Sequence, residues 1–152
     1  MYNHAPASYI CPLCILAKGD ENKDGLSSQT DVFCRDAFLT AFIPLHTWPN
    51  NPGNAIIIPN AHYENLYDLP EEIGGLIFAL SRRVALAMKS AYGCAGISTR
   101  QHNEPAGNQD VWHYHLHIFP RYPGDTLYGS RPVLMPPEER SIYAGKLRQF
   151  MT

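Results

Sequence analysis

The sequence predicts an α+β fold with a mostly antiparallel sheet. Three observations lead there. Short runs of β-branched and aromatic residues recur between turn-rich loops. One long stretch, residues 70–93, carries apolar residues at helical spacing. A third segment, residues 111–120, alternates residue by residue as a half-buried strand does. The 152 residues suit a single domain able to bury a real core. No internal repeat and no linker divides the chain.

The elements follow in order. The opening MYNHAPASYI has neither the basic nor the apolar region of a secretory signal. Residues 19–29 are polar and turn-rich, which predicts an exposed loop. Residues 30–36 and 37–44 read as a hairpin turning at Arg35 and Asp36. Residues 46–54 are rich in Pro, Asn and Gly and read as a loop. Residues 55–58 form a short apolar run, the mark of a buried strand. Pro70 suits a first helical turn, and Glu71 and Glu72 complement the helix dipole there. Ile73, Leu76, Ile77, Leu80, Val84, Ala87, Met88 and Ala91 then make one apolar stripe, and Gly93 is the expected stop. Gly74 and Gly75 lower helix propensity and suggest close packing. Residues 95–101 read as a strand, 102–108 as a loop and 111–120 as a second strand. An amphipathic helix is expected over 138–151.

Composition narrows the function. Lys and Arg number 12 against 14 Asp and Glu, a net charge of −2. That leaves no basic field to hold a nucleic acid or an anionic membrane. The densest apolar run, 76–80, is far shorter than a bilayer span. A soluble cytoplasmic protein is therefore expected. Four cysteines in a chain of this length do not make a disulfide scaffold. Cys34 and Cys94 read as small core residues. Cys11 and Cys14 form a CPLC pair, which can be a redox pair, two buried thiols or half a zinc site. No βαβ context surrounds it, which weighs against redox. His4, His46, His62, His102 and His113 are the candidates to complete a metal site.

The histidines carry the strongest signal. There are seven, and His113, His115 and His117 alternate with Tyr114, Leu116 and Ile118. In a strand the three imidazoles share one face, and the apolar residues share the other. Imidazole titrates near neutrality, so such a row can supply a nucleophile, an acid or base, or metal ligands. A plain polar surface face and a three-histidine metallohydrolase centre are the competing interpretations.

Residues 101–112, QHNEPAGNQDVW, run into HYHLHIF and then Pro120-Arg121. Together with the upstream run 51–66, NPGNAIIIPNAHYENL, they resemble the histidine triad (HIT) superfamily. The closest likeness is to bacterial HIT proteins related to dinucleoside polyphosphate hydrolases. The resemblance covers 9–125 as a HIT domain and leaves 126–152 as a C-terminal extension packing on it. It implies a sheet of about five antiparallel strands, one long helix, a homodimer and an adenine nucleotide substrate, a class to which dinucleoside polyphosphates and adenosine phosphoramidates both belong. It makes His115 the nucleophile at the α-phosphate, with His117 on the phosphate oxygens and Gln109 near the phosphate and leaving group. Asn103 opens the phosphate loop, and Phe42 and Ile43 face the base. Trp48 and Trp112 are further stacking candidates. The chemistry is coherent: a neutral imidazole attacks well when one nitrogen is free and the other donates to a fixed acceptor. The same resemblance assigns a structural Zn²⁺ to Cys11, Cys14, His62 and His113.

Three positions depart from the family pattern. Asn54 follows Gly53 where relatives often carry a histidine that orients the nucleophile. Pro44 stands where a ribose-binding aspartate is common. Asn108 separates Gly107 from Gln109, which are usually adjacent. A zinc-stabilised nucleotide-binding protein with weak or no catalysis is the non-enzymatic alternative.

Overall fold

Alternate residues of the central strands fill two different cores, and this division places the site. The computed structural model describes residues 2–21 and 27–151; part of the expected 19–29 loop lies outside them. Strands β1 (Val32–Arg35) and β2 (Leu39–Phe42) form the expected hairpin. Asp36 Oδ1 accepts the Phe38 and Leu39 amides at 2.8 Å each and so builds the turn. Strand β3 (His46–Thr47) follows, then β4 (Ala55–Pro59), helix α2 (Glu71–Tyr92), β5 (Gly96–Gln101) and β6 (Leu116–Arg121). The main sheet is antiparallel, with order β1-β2-β4-β6-β5.

On one face Leu39, Ala41, Ala55, Ile57 and Ile118 pack against Ile77, Leu80, Val84, Ala87 and Met88 of α2. On the other, Phe42, Ile56 and Ile58 pack against Leu13, Leu16 and Ala17 of a short helix α1 (Pro12–Ala17). Register aligns Phe42 with Ile56, Ile56 with His117, and His117 with Arg100. A row across the sheet therefore runs from apolar to polar on the α1 side.

Helix α2 matches its expected bounds, and Gly93 caps it with φ 64°, a conformation glycine adopts without penalty. The stripe is narrower than the spacing suggests. Leu76 is exposed, as are Phe78 and Leu86, and open space surrounds Gly75, so close packing does not explain that glycine. Gly53 is the crowded one. Its φ is +84°, and a Cβ there would lie 2.6 Å from Tyr143 Cδ1.

Two expectations change. The loop 46–54 contains β3, which pairs with β7 (Val133–Leu134), a strand the sequence did not suggest. The strand expected from residue 111 begins only at Leu116. The ladder reaches only Leu116, paired with Ile57 and Gln101. Residues 111–115 instead turn on a His113 N–H to Val111 carbonyl bond of 2.8 Å, while the Tyr114 amide donates to the Tyr63 carbonyl.

The C-terminal helix α3 (Pro137–Arg148) belongs to the same body: Ala144 and Leu147 enter the α2-side core. Among the described residues no helix is long and apolar enough to cross a membrane. Arg140 of α3 donates to Asp31 Oδ2 at 3.0 Å and to the Met135 carbonyl at 2.8 Å. Both side chains are buried, and burial pushes the Asp31 carboxyl up despite the Ser28 amide and the guanidinium. A buried pair of this kind is lost at a high cost when one member alone is removed. Arg140→Met should cost about 3–5 kcal/mol in urea unfolding, and adding Asp31→Leu should recover most of it.

Candidate active site and metal centre

His115 is fixed before any ligand arrives. Its Nδ1 lies 2.7 Å from the His113 carbonyl, which can only accept, so Nδ1 carries the proton and Nε2 the lone pair. The ring is buried, and burial lowers its basicity, opposed by that carbonyl and by Asp110. His115 and His117 line a cavity of about 430 Å³ whose apolar wall includes Leu13, Phe42, Ile56 and Trp48. A volume in this range suits a small organic ligand.

His117 sits 5.1 Å from His115, centroid to centroid, and stacks on Phe119 at 5.7 Å. Burial, with His115, His102 and Arg100 nearby, pushes its pKa down to about 3, so the ring is neutral at pH 7. Its Nδ1 is buried without a hydrogen-bond partner among the described residues, as is Asn54 Oδ1, while Asn54 Nδ2 donates to the His46 carbonyl at 3.3 Å. The Arg100 guanidinium lies over Phe119, Trp48 and Tyr128 at 4.9, 5.4 and 5.5 Å.

Several expected site residues are placed differently. Ile43 is fully buried among the residues facing α2 and does not line the cavity, because strand alternation turns it away from Phe42. Gln109 is nearly buried and spends its amide on the backbone: Nε2 donates to the Glu64 and Val111 carbonyls, and Oε1 accepts the Glu104 amide at 2.9 Å. Asn103 is similarly committed, accepting the Leu66 amide and exchanging bonds with Gln101. Glu104 and Asn108 take positive φ, 60° and 66°, at the ends of the loop between them. The extra Asn108 is thus absorbed by a left-handed turn that Gln109 clamps shut.

Asp110 was missed. It lines the cavity, its side chain is 83% exposed, and its Oδ1 lies 3.7 Å from His115 Nε2. No pattern marks it in the sequence, since only the irregular 111–115 turn brings it back beside His115. The N-terminal segment was missed too: Glu64 accepts the His4 and Ala5 amides, and His4 pairs with Glu104 at 3.1 Å. These contacts span 59 to 100 residues and leave no local signal.

A second cluster lies beside His115, around the ring of His113. Cys11 is the N-cap of α1 and Cys14 follows one turn later, so both sulfurs share a side. With His62 and His113 their ligand atoms all fall within 4.8 Å of one another. Cys11 Sγ and Cys14 Sγ are 3.4 and 3.5 Å from His113 Nδ1; Cys14 Sγ is 3.3 Å from His62 Nδ1; the two Nδ1 atoms are 3.2 Å apart. Tetrahedral zinc with sulfur and nitrogen ligands has edges of roughly 3.3–3.8 Å, so the donor set fits that ion. His113 Nε2 donates to the Pro59 carbonyl at 2.9 Å, which frees Nδ1 for a metal. Of the triad only His113 joins this cluster among the described residues.

The HIT domain family model matches residues 27–124. The chain belongs to the HIT family. It is 34% identical over 78 residues to the protein named Protein hit of Bacillus subtilis, across 51% of this chain and 54% of that one. It is 30% identical over 86 residues to the adenylylsulfatase HINT3 of Arabidopsis thaliana, across 57% of this chain and 44% of that one. It is 34% identical over 74 residues to the adenosine 5′-monophosphoramidase HNT1 of Saccharomyces cerevisiae, across 48% and 44%. The matched stretch is thus about half of each relative. The fold is that of a Zn-bound histidine triad family protein from Mycobacterium smegmatis, with TM-score 0.76, 25% identity, and coverage of 93% of this chain and 92% of that one.

In this HIT chain Gln109 holds the loop rather than facing the cavity. Gln109→Ala should therefore lower stability by about 1–3 kcal/mol, as expected when buried backbone partners are left unpaired. Thermal unfolding checks it.

Proposed function

We propose that this chain is a nucleotide hydrolase or nucleotidyl transferase working through a covalent nucleotidyl intermediate on His115. One observation carries the reading: the His113 carbonyl fixes the His115 tautomer and leaves Nε2 as a lone pair on the cavity wall. The relatives named as an adenylylsulfatase and an adenosine 5′-monophosphoramidase support the same class, since each name describes an adenylyl group carrying a substituent. Adenine nucleotides are the substrates to try first. Diadenosine polyphosphates belong to the same chemical class.

The steps follow from the residues. The substrate seats its base against Phe42 and Ile56 and brings its α-phosphorus to His115. Nε2 gives its lone pair to phosphorus, and the bond to the substituent breaks with its pair on the leaving atom. His115 then carries the nucleotide as a cationic imidazolium. His117, neutral and beside it, donates to the equatorial oxygens, where charge accumulates. Water or another acceptor displaces the nucleotide from Nε2 and restores the imidazole. Covalent catalysis thereby divides one difficult displacement into two easier ones.

Cys11, Cys14, His62 and His113 hold a Zn²⁺ in this reading, and four protein ligands make it structural. It ties α1 and the N-terminal segment to the residue that orients His115. The HIT domain takes in residues 9–125, with 126–152 as its extension. A homodimer is part of the same reading, and the exposed Phe78 and Leu86 on α2 offer apolar area for a second copy to cover.

His115→Asn should lower kcat/KM for an adenosine phosphoramidate on the order of 10³-fold or more. Intact-mass measurement on wild type should trap one adenylyl adduct, absent in the variant; retained turnover in the variant would remove His115 from this role. Cys11→Ser and Cys14→Ser should reduce bound zinc, read by elemental analysis, and lower the melting temperature by several degrees. If melting were unchanged with zinc absent, the metal would have no structural role.

A further inference from the structure

We infer that His4, acting through Glu104, is a positioning residue for the active site: it holds the segment 104–112, which carries Asp110 and leads into His115. This goes beyond the nucleotidyl-transfer reading above, on which its activity measurements rest.

Glu104 has a backbone that glutamate does not favour. Its φ of 60° and ψ of 164° lie in a region that is essentially glycine's alone. Such a conformation persists only where the surroundings enforce it. The loop supplies part of that constraint. Gln109 Oε1 accepts the Glu104 amide at 2.9 Å, and the Glu104 carbonyl accepts the Gly107 and Gln109 amides at 3.0 and 3.1 Å. The side chain supplies the rest, because its carboxylate meets His4 Nε2 at 3.1 Å and the Tyr67 hydroxyl.

A half-exposed ion pair in isolation contributes little. The His4–Glu104 pair differs because the strap behind it, residues 2–9, is already fixed. Buried Glu64 accepts the His4 and Ala5 amides. Buried Asn65 donates to the Tyr2 carbonyl at 3.1 Å and to Asn3 Oδ1 at 2.8 Å. Ordering the His4 side chain therefore costs little further entropy. The strap also reaches the far end of the segment, where the Trp112 amide donates to Tyr9 Oη at 3.2 Å. Glu64 joins the two sides, since its carbonyl accepts Gln109 Nε2 at 2.6 Å.

Between the two held ends lie Asp110 and Val111, which line the cavity, Asp110 being exposed at its mouth. The apolar wall of Phe42 and Ile56 belongs to β2 and β4, outside this segment. Loosening the strap should thus disturb the approach of His115 to phosphorus more than the seating of the base. An N-terminal segment that merely packs on the domain would change stability and nothing else.

The test measures kcat and KM with an adenosine 5′-phosphoramidate, and hydrogen exchange at the Gly107 and Gln109 amides. His4→Ala should lower kcat about fivefold or more and leave KM within about twofold. Exchange at both amides should quicken about tenfold, a readout independent of turnover. Tyr2→Ala removes a ring contact of 5.0 Å with Tyr67 on the same strap, and should lower the melting temperature at unchanged kcat. Glu104→Gly takes the same φ and ψ freely, so it should keep most of kcat and remove most of the effect of His4→Ala. Three results would each overturn the role of His4: unchanged exchange in His4→Ala, an equal kcat loss in Tyr2→Ala, or an equal loss from His4→Ala in both backgrounds. Absence of an adduct on His115 in wild type would instead overturn the nucleotidyl-transfer reading, with amide exchange still deciding whether His4 holds the loop.

Discussion

His113 is the residue on which the rest of the site depends. Its carbonyl accepts a hydrogen bond from His115 Nδ1–H, its Nε2 donates to the Pro59 carbonyl at the end of β4, and its Nδ1 faces Cys11, Cys14 and His62. Each bond fixes a different thing. The Pro59 bond sets the ring's tautomer, the cluster sets its position, and the carbonyl sets the tautomer of its neighbour. The ring is fully buried, and burial lowers its pKa to about 4, so it stays neutral at pH 7. An imidazolium there would lose the lone pair that faces the cluster.

The two-faced sheet makes this arrangement possible. Strand alternation sends Ile57 and Ile118 to α2 and leaves Ile56 and His117 for the α1 side. The large core behind α2 stabilises the sheet, since each fully buried aliphatic side chain contributes about 1.5–3 kcal/mol before entropy is counted. The α1 side, with a smaller core, has room for a cavity. The same helix that closes this smaller core presents both cysteines to His62 and His113. Anchoring α1 therefore also shapes the apolar wall to which Leu13 contributes.

Much of this was legible where the signal is local. The α2 stripe from Ile77 to Met88, the Gly93 stop and the apolar run of β4 follow from spacing, and the sheet's antiparallel character follows from short strands between loops. The histidine pattern announced the family. What spacing could not show was where alternation stops. His113 and His115 precede β6, because the pairing with β4 and β5 ends at Leu116, and the backbone there is free to turn. That turn makes a carbonyl of one triad member the partner of the next. Gln109 and Asn103 illustrate the converse: the amide side chains expected at the phosphate are consumed by loop backbone whose partners lie up to 45 residues away. Asp110 and Glu64 carry no local mark at all, since their significance comes from contacts with His115 and with the first residues of the chain.

Neighbouring histidines can differ in role because their surroundings differ, not their chemistry. His113 is surrounded by donors for a cation, His115 opens on a cavity beside a carboxylate, and His117 is stacked on Phe119 with Arg100 paired beside it across the sheet. The net charge of −2 bears on this only through its distribution. A phosphate pocket needs only a few donors that are neutral or positive and close. His117 is neutral at pH 7, so its ring adds no full positive charge to the cavity wall. Asp110, at the mouth, does not compete for the proton of Nδ1, which the His113 carbonyl already holds. One irregular turn thus sends the His113 ring to a metal-type cluster and the His115 ring to a cavity, while strand β6 stacks His117 on Phe119.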